Sequence, residues 1–412
     1  MTAAVLSIGT ELTRGELTNS NASWLSEQLT ALGCEVCEHV SVPDDLDRIG
    51  AALKRLAAEH RWIVATGGLG PTTDDLTAEA VARVAGVERV RHEPSLRMIE
   101  RRFAAVGREM SPSNAKQADL PEGADPLENP VGTAPGFAVT IGDCRAWFLP
   151  GVPHEMKRLF GDHVQPAVSR GVERDTHQVH LRTFGLPESK VGELLEGVEA
   201  RFEGLTLGYR ASFPEIEVKL LARAESEAAA QAVAREAEEE VRRRLGDAVF
   251  GSGEERYPAY VGHVLRDRGL TIALAESCTG GIVGSLITDV PGSSEYMLLS
   301  AVTYSNAAKT EVLGVSGEVL RGHGAVSSEV AAAMADGARR LADSDLAVSI
   351  TGIAGPGGGT ESKPVGTVFI GVARRGRETV TQVHALGGDR WRIRRLSAYL
   401  ALRELVRAAK AS

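Results

Sequence analysis

Two stretches of this chain concentrate side chains able to do chemistry. The first reads Thr66-Gly67-Gly68-Leu69-Gly70-Pro71-Thr72-Thr73-Asp74-Asp75-Leu76-Thr77. Its glycines let backbone approach a phosphate, it opens a helix whose free N–H groups favour anions, and Asp74 with Asp75 are oxygen donors for a divalent cation. The combination describes a nucleotide or pyrophosphate site. The second reads Glu276-Ser277-Cys278-Thr279-Gly280-Gly281. A strand-to-helix elbow of small residues presents the Ser277 hydroxyl at a helix N-terminus, the position of a nucleophile.

A serine needs a base at neutral pH, and His263, His323 and His384 sit in no convincing motif. Tyr304-Ser305-Asn306-Ala307-Ala308-Lys309 offers a lysine directly after a strand instead, and burial would lower its pKa into a useful range. Tyr304 is placed to relay or orient the proton. Pro291-Gly292-Ser293-Ser294 supplies backbone N–H groups and a hydroxyl, and Thr351-Gly352-Ile353-Ala354-Gly355-Pro356 a second loop at a strand end, so an oxyanion hole and a phosphate pocket are both available. Singly, each feature has an ordinary structural explanation: Ser277 or Asp74 as a helix cap, Cys278 as a buried thiol, Lys309 as a solvated residue, the glycines as turns. Their convergence at strand ends favours chemistry.

The elements that must position these loops are legible as alternating apolar runs. Ala3 to Gly9, a helical pattern from Asn21 to Gly33, and Glu35 to Val42 form a βαβ unit; a helix from Asp45 to Glu59, the strand Trp62 to Ala65 and a helix from Leu76 to Ala85 continue it. Such alternation calls for a parallel sheet covered on both faces, with ligands at the carboxyl ends of its strands. Strands at Gly136 to Ile141 and Arg145 to Leu149 follow. From Gln178 the texture changes to a strand, a short helix, the strand pair Thr206 to Ala211 and Glu215 to Ala224, and a charged helix from Glu225 to Leu245. Gly251 to Arg256 reads as a linker. Beyond it the strands Thr271 to Ala275, Ser300 to Tyr304, Leu346 to Thr351 and Gly366 to Ala373, with intervening helices, make a second α/β domain. The expected fold is two doubly wound three-layer α/β domains joined by a small α+β domain, divided at 1–170, 171–250 and 251–412.

Composition sets the outer limits. At 412 residues the chain exceeds one ordinary core, and the prior is two to three domains. A formal charge of −9 argues against a protein whose main task is coating nucleic acid. Four cysteines spread over the chain are too sparse for a disulfide framework and point to a reducing, cytoplasmic compartment. No run of 18 apolar residues suggests a membrane span.

Two further segments, Ile8-Gly9-Thr10-Glu11-Leu12 and Phe148-Leu149-Pro150-Gly151-Val152-Pro153-His154-Glu155, fall at strand ends beside the glycine loop. Together with Asn129-Pro130-Val131-Gly132-Thr133-Ala134-Pro135-Gly136 they resemble the molybdopterin-binding fold, and more closely the N-terminal domain of the CinA (competence/damage-inducible) family. That resemblance implies a domain similar to metal-dependent ADP-ribose pyrophosphatases, with Glu11, Asp74 and Asp75 for a divalent metal and Gly67, Gly68, Gly70, Thr72 and Thr133 for the pyrophosphate. From about Tyr257 onward the chain resembles the CinA C-terminal domain, a nicotinamide-mononucleotide (NMN) deamidase. What this implies is hydrolysis of NMN to nicotinate mononucleotide and ammonia without a cofactor. Ser277 is then the nucleophile and Lys309 its base, with Tyr304, Ser294, Thr351 and Gly352 around the reacting amide and phosphate. The elbow residues Cys278, Thr279 and Gly280 and the turn glycine Gly292 line the substrate site, and Arg390 partners the nucleotide's charge. Ser294 stays open as the rival nucleophile.

Residues 178 to 250 resemble the KH-like adapter of the same family but lack a G-x-x-G clamp. Arg242 to Arg244 lie within a helical turn of Glu236 to Glu240, which neutralises them, so the expectation is a spacer and nucleic acid is not an expected partner. The expected partners are small nucleotides and a second copy of the chain, as a homodimer. A competence or DNA-damage adapter with vestigial pockets is the competing reading.

Overall fold

The computed structural model describes residues 1–172 and 174–411. It divides into two compact units, Met1–Gln178 with Leu221–Ala234, and Val179–Leu220 with Arg235–Ser412. Among the described residues no helix is long and apolar enough to cross a membrane.

The first unit is built on β1 (Thr2–Ile8), α1 (Ser20–Ala31), β2 (Glu35–Val42), α2 (Leu46–Glu59), β3 (Trp62–Thr66), α3 (Thr77–Ala85), α4 (Glu93–Ala105), β4 (Asp125–Leu127), β5 (Gly136–Ile141), β6 (Cys144–Leu149) and α5 (Pro153–Leu159). Its sheet runs β2-β1-β3-β6-β5-β4. β1, β2, β3 and β6 are parallel. β5 and β4 turn back antiparallel, so the sheet is mixed where alternation alone called for a parallel one. β1 and β3 are almost wholly apolar and buried, because helices cover both faces. Two hydrophobic clusters mark the two sides, one centred on Leu6, Ile49, Leu53 and Phe148 and the other on Val5, Leu25, Trp147 and Phe160. The parallel strands deliver the loops after Ile8, Thr66 and Leu149 to one edge.

A four-stranded sheet is formed by β7 (Asp175–Phe184), β8 (Leu205–Ser212), β9 (Glu215–Ala224) and β10 (Val249–Ser252), in the order β8-β9-β7-β10. The stretch expected to be a linker therefore begins as a strand: its Gly251 and Ser252 pair antiparallel with Arg182 and Leu181. A helix, α6 (Glu227–Leu245), connects β9 to β10. Beyond it come α7 (Tyr257–Asp267), β11 (Ile272–Glu276), α8 (Ile282–Thr288), β12 (Met297–Val302), α9 (Asn306–Leu313), α10 (Ser328–Ala342), β13 (Leu346–Gly352), β14 (Thr367–Arg374), β15 (Val380–Ala385) and α11 (Arg390–Lys410). The sheet order is β12-β11-β13-β14-β15, with β12, β11 and β13 parallel and β14 and β15 antiparallel additions. Its core combines Leu274, Ile287, Val348, Ile370 and Leu402 on one side with Met334, Ala335 and Ala338 on the other.

Candidate active site and nucleotide cleft

β11 is buried at every position and ends on an acid, Glu276, which is 0% exposed. A buried carboxylate is costly unless hydrogen-bonded. Here Glu276 Oε2 accepts from the N–H groups of Gly281 (3.0 Å) and Val283 (3.1 Å), and Oε1 from Gly284 (2.8 Å). The start of α8 is thus occupied by Glu276, where the sequence suggested the Ser277 hydroxyl. A full negative charge outcompetes a hydroxyl for the positive end of a helix. Gly281, at φ 95°, supplies the left-handed turn that folds the helix start back over Glu276.

Ser277 instead faces Lys309. Its backbone N–H is tied to Ile350 O (3.0 Å), and its Oγ lies 3.1 Å from Lys309 Nζ. Lys309 is 1% exposed; its Nζ also reaches Thr303 O at 2.8 Å and Tyr304 O at 3.4 Å. Burial lowers its pKa, the cost of desolvating an ammonium. A neutral amine has two N–H donors and one lone pair. With the carbonyls of Thr303 and Tyr304 taking the donors, the lone pair is left for the Ser277 hydroxyl. This is a base poised on a nucleophile. The neighbouring Cys278 thiol is pushed up to about 11 by burial, so it stays protonated and inert at neutral pH.

The elbow is held from its carbonyl side as well. Arg394 donates from Nε to Cys278 O (3.1 Å) and from Nη2 to Thr279 O (2.6 Å). Gly280 lies against the same guanidinium. The N–H groups of Cys278 and Thr279 take part in none of these contacts. Arg390, in the first turn of α11, donates to Gly355 O (2.7 Å) and to the Tyr304 hydroxyl (3.2 Å), and Tyr304 itself is exposed. Gly352 ends β13 against Val368, while the Thr351 hydroxyl donates to Ala325 O at 2.7 Å, which commits its proton to the framework.

Ser294 and Gly292 are not brought to this site. They precede Met297, and Met297 pairs with Ile272 at the start of β11. A five-residue strand spans ~17 Å, so Ser294 lies at the opposite edge of the sheet from Ser277. Within the chain it is not a rival nucleophile, and Gly292 packs instead near Arg266 and Glu295.

In the first unit the three loops line a cleft of about 630 Å³ containing Glu11, Gly67, Gly68, Gly70, Asp74, Asp75 and Thr133. Gly67 has φ +104°, and a Cβ there would fall 2.0 Å from Ile8 O, so only glycine lets β1 and β3 close the cleft floor. Thr72 does not line it. Its N–H donates to Asp75 Oδ2 at 2.8 Å, and its hydroxyl lies against both Asp74 and Asp75. The hydroxyl and then its own backbone N–H hold Asp74 below the usual carboxylate range. One hydroxyl proton shared between two carboxylates leaves surplus oxygen lone pairs, which fits a hard cation bound through one or two carboxylates and a ligand's phosphates. Glu11 lines the same cleft, but its carboxylate is not gathered with those of Asp74 and Asp75. Among the described residues the acidic or histidine side chains that gather three ligand atoms within 4.8 Å are Glu38, Glu59 and His60, away from Glu11. Arg55 already occupies that group, 2.7 Å from Glu38 and 3.2 Å from Glu59.

Sequence reasoning missed Glu276, although an acid ending a wholly apolar strand signals a satisfied buried charge. It also missed Arg394, which no local pattern marks, and Asn129. The Asn129 side chain accepts from the N–H groups of Val131 and Gly132 and donates to Ala134 O and to Glu155, shaping the Thr133 loop.

Fold and sites define a class: a modular nucleotide-processing chain with a phosphate-type cleft on one α/β module and a serine–lysine elbow on another. Residues 4–170 match the probable molybdopterin binding domain, 178–251 the damage-inducible protein CinA KH domain, and 254–409 the CinA C-terminal domain. A CinA-like protein of Citrifermentans bemidjiense is 45% identical over 402 residues, 98% of this chain and 96% of the relative. One of Geobacter metallireducens is 44% identical over 404 residues, 98% of each. The chain belongs to the CinA family. A solved structure, the protein CinA with unknown function from Thermoplasma acidophilum, is 36% identical with TM-score 0.38, covering 40% of this chain and 97% of that one.

Proposed function

We propose that the second unit hydrolyses the carboxamide of NMN. The observation that carries this reading is the 3.1 Å approach of a buried, pKa-lowered Lys309 to Ser277. Ser277 Oγ attacks the carboxamide carbon while Lys309 takes the hydroxyl proton. The oxyanion is received by the N–H groups of Cys278 and Thr279. Collapse breaks the C–N bond, and the Lys309 ammonium gives its proton to the leaving nitrogen, releasing ammonia. Water then attacks the acyl-serine with Lys309 again as base, releasing nicotinate mononucleotide and restoring Ser277. Arg390 partners the substrate phosphate, with Tyr304 holding the guanidinium. The test is ammonia release from NMN by the purified chain and by Ser277→Ala; undiminished turnover in the variant would refute the assignment.

The first unit, in the same reading, hydrolyses the pyrophosphate of ADP-ribose with a divalent cation. Asp74 and Asp75 would hold the ion, which when bound neutralises charge on the phosphates. Gly67, Gly68 and Gly70 let the backbone meet the pyrophosphate, Thr72 orients the carboxylates, and Thr133 closes the far wall.

A further inference from the structure

The helix that supplies Arg390 and Arg394 is held by residues outside the span 254–409 that matches the CinA C-terminal domain. α11 presents successive residues about 100° apart, so Arg390 and Arg394, one turn apart, share a face, while Trp391, Arg395 and Tyr399 share another. The first face meets the site: Arg390 on Gly355 O and Tyr304, Arg394 on the elbow carbonyls. The second face meets the β8–β9 hairpin. Phe213, at the hairpin tip, lies 5.7 Å from the Trp391 ring and has the Arg392 guanidinium 4.4 Å over its own ring. Two turns along, the Tyr399 hydroxyl donates to Glu215 Oε1 at 3.0 Å, and Glu215, 1% exposed, also accepts from Tyr257 N–H at 3.1 Å.

We infer that the small α+β domain is a working part of the amidase site, with Phe213 as a positioning residue that fixes the first turn of α11 and so aims Arg390 at the substrate phosphate. A spacer has no need to grip a catalytic domain's helix at two points two turns apart. The contact is aromatic and cationic, so it carries a preferred geometry as well as buried area. Phe213 is half-buried beside a cavity of about 490 Å³ that Arg395 and Tyr399 also line, so its truncation removes the contact without collapsing a core. The inference rests on Arg390 being the phosphate's partner.

The experiment is steady-state kinetics of full-length Phe213→Ala, Phe213→Tyr and Arg390→Ala, and of the double variant Phe213→Ala/Arg390→Ala, on NMN. Phe213→Ala should raise KM about fivefold, the size of one aromatic–cation contact, with kcat changed less than about twofold. Phe213→Tyr should restore KM, and in the Arg390→Ala background Phe213→Ala should add nothing. An unchanged KM, or additive effects in the double variant, would overturn the inference. A second readout needs no turnover: peptide mass mapping of phenylglyoxal modification should find Arg390 reacting faster in Phe213→Ala than in the parent. If the parent releases no ammonia from NMN, the amidase reading fails, and this rate alone decides the inference: faster modification upholds the positioning role and an equal rate overturns it.

Discussion

At the residue scale, the second site rests on one amine and one hydroxyl, and each makes a sharp prediction. Ser277→Ala and Lys309→Ala should each lower kcat for NMN by ~10³-fold or more while leaving the fold intact, since either loss disables the dyad. Lys309→Arg should be equally inactive, because a guanidinium stays charged and cannot accept the serine's proton. Only neutral Lys309 works as the base and its pKa is lowered by burial. The rate should therefore rise with pH through that lowered value and level off before the ordinary lysine range near 10.4. A kcat/KM profile flat from about pH 6 to 9 would count against lysine as the base. Ser294→Ala should retain parental turnover, because its loop lies across the sheet from Ser277; a large loss would require Ser294 to reach a site by a route the single chain does not show.

At the element scale, most strands could be read from apolar runs, and β2 and β5 coincide with the runs Glu35 to Val42 and Gly136 to Ile141. The same reading located the loops after β1, β3, β6 and β11, because carboxyl ends of parallel strands gather ligands whatever the detailed packing. It failed where the side of the sheet mattered. Ser294 is close to Ser277 in sequence, but α8 carries the chain back to the start of the next parallel strand, so alternate loops fall on opposite edges. It failed again at Glu276 and Arg394, whose roles exist only once the elbow is folded. Gly67 gives the element-scale prediction. Its Cβ would strike Ile8 O and its backbone is left-handed, so Gly67→Ala should destabilise the first unit by about 2 kcal/mol or more and abolish its nucleotide binding, read by urea unfolding and calorimetry. Ammonia release should survive.

At the scale of the whole molecule, the two chemistries draw on different resources and should separate. The cleft offers Asp74 and Asp75 beside a phosphate cradle, whereas the serine–lysine site is furnished with backbone N–H groups and arginines. EDTA, or Asp74→Ala, should abolish ADP-ribose hydrolysis by the intact chain and leave ammonia release from NMN unchanged. Loss of ammonia release on chelation would sink the serine–lysine mechanism. A paired assay on one preparation makes the comparison internal, since each activity serves as the folding control for the other.

The carboxylate of Glu276 also behaves as a tethered ion. Three N–H groups converge on it, so removing the side chain leaves a ready-made receptor for a free anion of the same shape. Glu276→Ala should turn over NMN poorly, having lost about 3 kcal/mol of charge-assisted hydrogen bonding. Added formate should revive it with saturation, and chloride at equal ionic strength should not. The serine's alignment would then be dosable from solution, making the activity of one loop a function of a small molecule's concentration.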